Sequence, residues 1–199
     1  MYSTPTPLAL GGATRVASFT KEGLYVLAQD TGAELFHFPW RKGEVSVNAA
    51  TPVAAGERIF ISSGYGHGCA LVELGEDGAR AVWESKVLRT VLSGAVLVDG
   101  HLYGFDESKL KCVDLDGEER WRKRGLGQGA LMAADGRLIL MSEKGELIVA
   151  RATPEAYTEL SKERVMDGGH SWTTPALAGG RIYCRNGQGR LVARDHRPE

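Results

Sequence analysis

The sequence predicts an all-β protein: a β-propeller of four-stranded antiparallel blades, about five repeats with the last incomplete, set as an open arc or partial ring of a larger propeller. Three observations predict it. A phrase of apolar strand, glycine turn and second apolar strand recurs along the chain. The turn glycines, Gly12, Gly56, Gly100, Gly136 and Gly180, are spaced 44, 44, 36 and 44 residues apart. A large apolar residue follows four of them at a similar distance: Phe36, Trp83, Trp121 and, less distinctly, Leu160. Four strands in a unit of about 44 residues is the signature of a propeller blade. Glycine makes up 26 of 199 residues, near twice the usual share of roughly 7%, as many tight turns require.

The hairpin phrase is clearest at 51–60, 95–103, 130–139 and 174–183, with a looser copy in Thr6–Gly12 followed by Arg15 and Val16. Asp-Gly and Gly-Gly suit two-residue hairpin turns, which need positive φ. Each hairpin leads to a third strand: 23–27, 69–72, 110–113, 146–149 or 190–193. A second turn, such as Asp30-Thr31-Gly32, Asp77-Gly78 or Asp116-Gly117, opens the fourth strand with its large side chain. This divides a single domain, 1–199, into blades at about 1–45, 46–88, 89–126, 127–168 and 169–199, with 19 strands. Helix is scarce; Thr153-Pro154-Glu155 has the cap chemistry to start one turn. The final blade lacks an outer strand and only Met1 to Pro5 precede the first, so an open arc is expected. The other arrangements are a closed five-bladed ring with a deficient blade and self-association of two arcs, since bare strand edges invite pairing.

Composition excludes several classes. Hydrophobic residues are 43% and charged residues 25%, which is globular rather than disordered. With 24 basic and 25 acidic residues the net charge is -1, so no charge field draws in nucleic acid or anionic lipid. Arg120, Arg122, Lys123 and Arg124 cluster, but Glu118 and Glu119 stand beside them. The longest apolar runs, such as Leu138 to Met141, fall far short of the roughly 18 residues of a membrane helix. No signal peptide is expected, because the first basic residue is Arg15, and Pro5 and Pro7 interrupt the start. Cys69, Cys112 and Cys184 are widely spaced without a CxxC pair. They read as small buried hydrophobes, although one disulfide plus a free thiol is also compatible with the count.

The segment Ala28-Gln29-Asp30-Thr31-Gly32-Ala33-Glu34-Leu35-Phe36 resembles the tryptophan-docking motif of PQQ-like (pyrroloquinoline-quinone-like) propeller repeats, which runs A-x-D-x-x-T-G-x-x-x-W. Val113 to Trp121 resembles a second, shorter copy. In that motif glycine turns the chain between third and fourth strands, and the ring packs between blades with its N–H on backbone; Phe36 lacks that N–H. The class includes quinoprotein alcohol dehydrogenases, the BamB-type lipoprotein of outer-membrane assembly, and exported PQQ-like proteins of unassigned activity. The chain resembles the last group most, through Asn48-Ala49-Ala50-Thr51-Pro52 and Ser62-Ser63-Gly64-Tyr65-Gly66. The resemblance implies blade docking by Phe36, Trp83 and Trp121, and a periplasmic or extracellular setting, although no export signal is visible. The quinoprotein enzymes use an eight-bladed ring, adjacent cysteines and a calcium ion. Adjacent cysteines do not occur here, so PQQ and calcium enter only under an alternative reading, the C-terminal part of a quinoprotein dehydrogenase-like enzyme that is inactive alone.

Propellers bind at the loops that meet the central channel, so the loops leading into each first strand hold the candidate binding residues: Asn48, Arg89 with Thr90 and Ser93, Gln128, His170 with Ser171 and Trp172, and, at a strand junction, Arg185. Amide, guanidinium, imidazole and indole groups converging there would suit a protein partner or a small polar ligand. Gly64 to Gly68 lacks G-x-G-x-x-G spacing and a following helix, and reads as a hairpin loop. Asp114-Leu115-Asp116-Gly117 starts like a calcium loop but lacks the other ligand positions, and reads as a turn. The five histidines show no metal spacing, and no G-x-S-x-G elbow is present. No catalytic residue, metal ligand or cofactor is assigned. The function expected is a non-catalytic propeller module that binds on its loop face.

Overall fold

A computed structural model describes residues 3–10, 12–40, 47–167 and 169–197. Gly11 and the expected blade boundary at about residue 45 lie outside them. The described residues are all-β and form five antiparallel sheets whose strands neighbour each other in chain order. The first sheet holds β1 (Thr6–Leu10), β2 (Ala13–Phe19), β3 (Gly23–Ala28) and β4 (Glu34–Pro39). The second holds β5 (Val53–Ala55), β6 (Arg58–Ser63), β7 (Gly68–Gly75) and β8 (Gly78–Ser85). The third holds β9 (Val96–Val98), β10 (His101–Asp106), β11 (Lys109–Asp114) and β12 (Glu119–Lys123). The fourth holds β13 (Ala130–Ala134), β14 (Arg137–Met141), β15 (Glu146–Arg151) and β16 (Glu159–Arg164), and the fifth β17 (Ala176–Ala178), β18 (Arg181–Arg185) and β19 (Leu191–Asp195). These are blades I to V of an open propeller arc; no strand ladder joins blade I to blade V among the described residues. Among the described residues no helix is long and apolar enough to cross a membrane.

Local chemistry sets the hairpins. Asp99-Gly100 and Asp135-Gly136 both have positive φ at two successive residues, the two-residue turn whose twist matches the flanking strands. Thr153-Pro154-Glu155 forms no helical turn. It belongs to the connection between β15 and β16, where the Thr153 carbonyl accepts a hydrogen bond from the Trp121 indole instead.

The core lies between the blades. Middle strands are apolar on both sides, and period-two alternation sends successive residues to opposite neighbours. In β6, Ile59 and Ile61 join the seam with blade I while Phe60 joins the seam with blade III. In β14, Leu138 and Leu140 face blade III while Ile139 and Met141 face blade V. Each cysteine is a free thiol buried in a different seam: Cys69 between blades II and III, Cys112 between III and IV, Cys184 between IV and V. Burial pushes the Cys112 and Cys184 thiols up to about 11 and raises Cys69 as well.

The large side chains of the fourth strands sit where third and fourth strands pair. Phe36 lies opposite Val26, Trp83 opposite Leu71, and Trp121 opposite Cys112. A register shift follows in each case, a β-bulge that re-aims the strand. The Trp83 Nε1–H donates to the Leu115 carbonyl at 2.9 Å and the Trp121 Nε1–H to the Thr153 carbonyl at 2.8 Å. Both acceptors belong to the next blade. Gly117 makes the first dock close: an added Cβ would lie 3.2 Å from the Trp83 ring, and its φ is +87°. Leu160 does not match this pattern. It falls in the bulge of β16 and is exposed, while Ser161 stands opposite Val149; one residue of slip moves a side chain to the other face.

Trp121→Phe keeps the ring but loses the N–H bond, and should cost about 1 kcal/mol. Trp121→Ala should cost about 3 kcal/mol. Gly117→Ala, which meets both the Trp83 ring and a left-handed backbone, should cost about 1 kcal/mol or more. Urea denaturation of the three variants measures all of these; equal stability of the Phe and Ala variants would contradict the docking role of the ring.

Candidate functional site

Chain direction fixes two ends. The turns within each β-hairpin of first and second strands, and those before each fourth strand, lie at one end. The turns between second and third strands lie at the other, with the loops that connect one blade to the next. The candidate residues are at this interblade-loop end, and the structure separates them into four environments.

Asn48 is buried and fastens blades I and II. Its Nδ2 donates to the Thr20 carbonyl at 2.6 Å, and its Oδ1 accepts from Ser63 Oγ at 2.6 Å. Ser63 Oγ in turn accepts the Trp40 indole N–H at 3.0 Å. Trp40, 1% exposed, carries a docking role absent from the sequence reading, because it follows the motif position by four residues.

Arg89 belongs to an ion network in blade III. Its Nε lies 2.8 Å and its Nη2 3.2 Å from the two oxygens of Asp106, and its backbone N–H also donates to that carboxylate. The Asp106 side chain is 1% exposed. Lys111 Nζ lies 2.8 Å from Asp106 and 3.1 Å from Glu119, and donates to the Val87 carbonyl at 2.7 Å. Burial alone would raise the Asp106 carboxyl, but the Arg89 and Lys111 hydrogen bonds and charges outweigh it and hold the group below the ordinary carboxylate range. Nearby, Ser62 Oγ donates to the Leu88 carbonyl and accepts from the Thr90 N–H. These contacts sew the loop before blade III onto the ends of β6, β10 and β11. Lys111 and Asp106 carried no sequence signal, since Glu107, Lys109 and Asp114 are charged as well and the order does not mark which of them pair.

Gln128, His170 and Trp172 come together between blades IV and V, joined by Glu143, which sequence reasoning missed. The His170 ring stacks on the Trp172 ring, centroids 4.4 Å apart. His170 Nδ1 lies 3.4 Å from Glu143 Oε1. Glu143 Oε2 accepts the Gln128 backbone N–H at 3.2 Å. Gly127 clears the space for that carboxylate, since a Cβ there would approach Glu143 Oε2 to 2.4 Å. The Trp172 Nε1–H and the Ser171 hydroxyl are buried without a hydrogen-bond partner among the described residues. His170 remains 64% exposed at its side chain. Arg185 ends β18 and is exposed, on the face opposite Ile182 and Cys184, apart from this cluster.

The fold superposes on BamB from Moraxella catarrhalis with a TM-score of 0.70 at 17% identity, covering 97% of this chain and 58% of that one. It superposes on the computationally designed Ika8 protein with a TM-score of 0.70 at 12% identity, covering 90% of this chain and 54% of that one. At these identities the likeness is one of fold, and the chain spans little more than half the length of either structure. No curated protein matches the sequence at a significant level. Sheets, seams and docking rings together define a β-propeller of PQQ-like repeats. The family model described as outer membrane protein assembly factor BamB matches residues 70–197, and the chain belongs to that family.

The Asp106 network makes a pH prediction. A folded-state pKa held below the unfolded value adds stability that is complete above the unfolded value, about 3.9, and is lost as pH falls through the folded value. Asp106→Asn leaves Arg89 and Lys111 short of their shared countercharge and should cost about 3 kcal/mol at neutral pH. The variant should also lose part of the stability decline below about pH 4. Urea midpoints at pH 7, 5 and 3 test both; a variant with the parent's acid limb would refute this assignment.

Proposed function

We propose that this chain is a non-catalytic propeller module that binds a protein partner at its interblade-loop end, through His170, Trp172, Glu143 and Gln128. One observation carries the proposal: in a stacked imidazole–indole pair whose imidazole is exposed, the Trp172 Nε1–H and the neighbouring Ser171 Oγ–H are buried donors without acceptors among the described residues. A buried donor left unpaired costs about 1–3 kcal/mol, which is recovered when the loop opens to bring the donor against an acceptor on a partner. Aromatic anchors next to a charged group are also the usual composition of an interface hot spot. The family description, an assembly factor for outer membrane proteins, supports a protein rather than a metabolite as the partner and supports a periplasmic setting.

The test is affinity capture from a cell-envelope extract with the immobilised chain and with a Glu143→Ala, His170→Ala, Trp172→Ala variant. A defined polypeptide should be retained by the parent and at least tenfold less by the variant, while circular dichroism stays the same. Equal retention would remove the assignment. Titration with PQQ and calcium should give no saturable binding and no dye reduction; tight binding would favour a quinoprotein activity instead.

A further inference from the structure

Among the described residues, the fourth seam lacks the ring that the other three contain. Phe36 is packed in the first seam, Trp83 in the second and Trp121 in the third. Each stands opposite the third-strand residue that pairs with Ala17, Phe60 or Tyr103 of the second strand. In blade IV the same alignment runs Ile139, Val149, Ser161. A serine therefore occupies the ring position, β16 is exposed along its whole length, and none of its residues enters the fourth core.

A groove of about 230 Å³ lies in this seam. Its apolar lining includes Ile139, Val149, Leu177 and Ile182, and its rim carries Arg137 and His196. Leu177 is 40% exposed. The acceptor position is also in place. Leu115, whose carbonyl receives the Trp83 indole, lies two residues beyond the partner of Leu102 in β11. Thr153, whose carbonyl receives the Trp121 indole, lies three residues beyond Ala150, the partner of Leu138 in β15. His196 and Arg197 lie two and three residues beyond Arg194, the partner of Ile182 in β19. Leu102 and Ile182 are equivalent, each the second residue of its second strand.

We propose that this groove is a docking seat for the indole ring of a tryptophan on a partner polypeptide. The occupant's chemistry is read from the chain itself: two of the three equivalent seats hold an indole whose N–H reaches a backbone carbonyl, and the partner's ring would face the backbone just beyond β19, at His196 or Arg197, in the same way. The seat is at the opposite end of the blades from the His170–Trp172 pair, so the proposal stands or falls independently of the function proposed above.

The experiment is methyl-resolved NMR of the full chain, titrated with a blocked Gly-Ser-Trp-Ser-Gly peptide, its alanine-centred counterpart and free indole. The tryptophan peptide should shift the methyl signals of Ile139, Val149, Leu177 and Ile182 saturably, and the alanine peptide should not. Ser161→Trp, which fills the seat from within, should weaken the peptide at least tenfold and raise the melting temperature. Leu177→Asp, at an exposed position, should weaken it similarly without lowering that temperature. Absence of saturable shifts, or shifts that survive both substitutions, would overturn the proposal. Binding of free indole without the peptide would also overturn it, in favour of a small-molecule occupant.

Discussion

No blade of this molecule has an interior of its own. A four-stranded sheet is one layer thick, so its apolar side chains are removed from water only by the sheet beside it. The middle strands meet this constraint by being apolar on both faces, which is why Ile59 and Phe60, adjacent in the chain, belong to different cores. Burial of each such side chain contributes about 1.5–3 kcal/mol, and all of it depends on neighbouring blades staying in register. Stability is then close to a sum over seams. The first seam holds twelve buried residues among those described and the fourth holds seven, so the arc is firmest at blades I and II.

Polar groups enforce the register that apolar contacts leave loose. Leucine against leucine tolerates sliding, whereas an indole N–H aimed at one carbonyl does not. The rings act near the end that carries the hairpin turns. At the opposite end the same task falls to Asn48, Ser62, Ser63 and Asp106, all buried, with Arg89 and Lys111 on the Asp106 carboxylate. The loop cluster at blades IV and V carries two buried side-chain donors, Ser171 Oγ–H and Trp172 Nε1–H, without a partner among the described residues; the Thr90 hydroxyl, beside the Asp106 network, is another such group.

Architecture was legible because it rests on periodicity. Glycine turns at positive φ and alternating apolar residues leave marks in the sequence, and Phe36, Trp83 and Trp121 were found through them. Leu160 was misread because a single bulge shifts the register by one residue, and the sequence carries no mark of a bulge. Among the residues of the proposed site, His170, Trp172 and Gln128 were legible as loop residues at equivalent places in the repeat. Glu143 was not, since it comes from the turn after β14 and reaches the others only through tertiary packing. Asn48 and Arg89 show the complementary limit: polar residues in loops look alike in sequence whether they face solvent or tie blades together.

The three cysteines have a consequence of their own. Each lies in a different seam, each is a free thiol, and each is buried enough that its thiolate is disfavoured. A thiol in this state reacts with an alkylating reagent only when its surroundings part. The chain therefore carries one natural chemical clock per seam for blades II to V. Mass-resolved labelling of Cys69, Cys112 and Cys184 would time the breathing of three adjacent interfaces in a single unmodified sample.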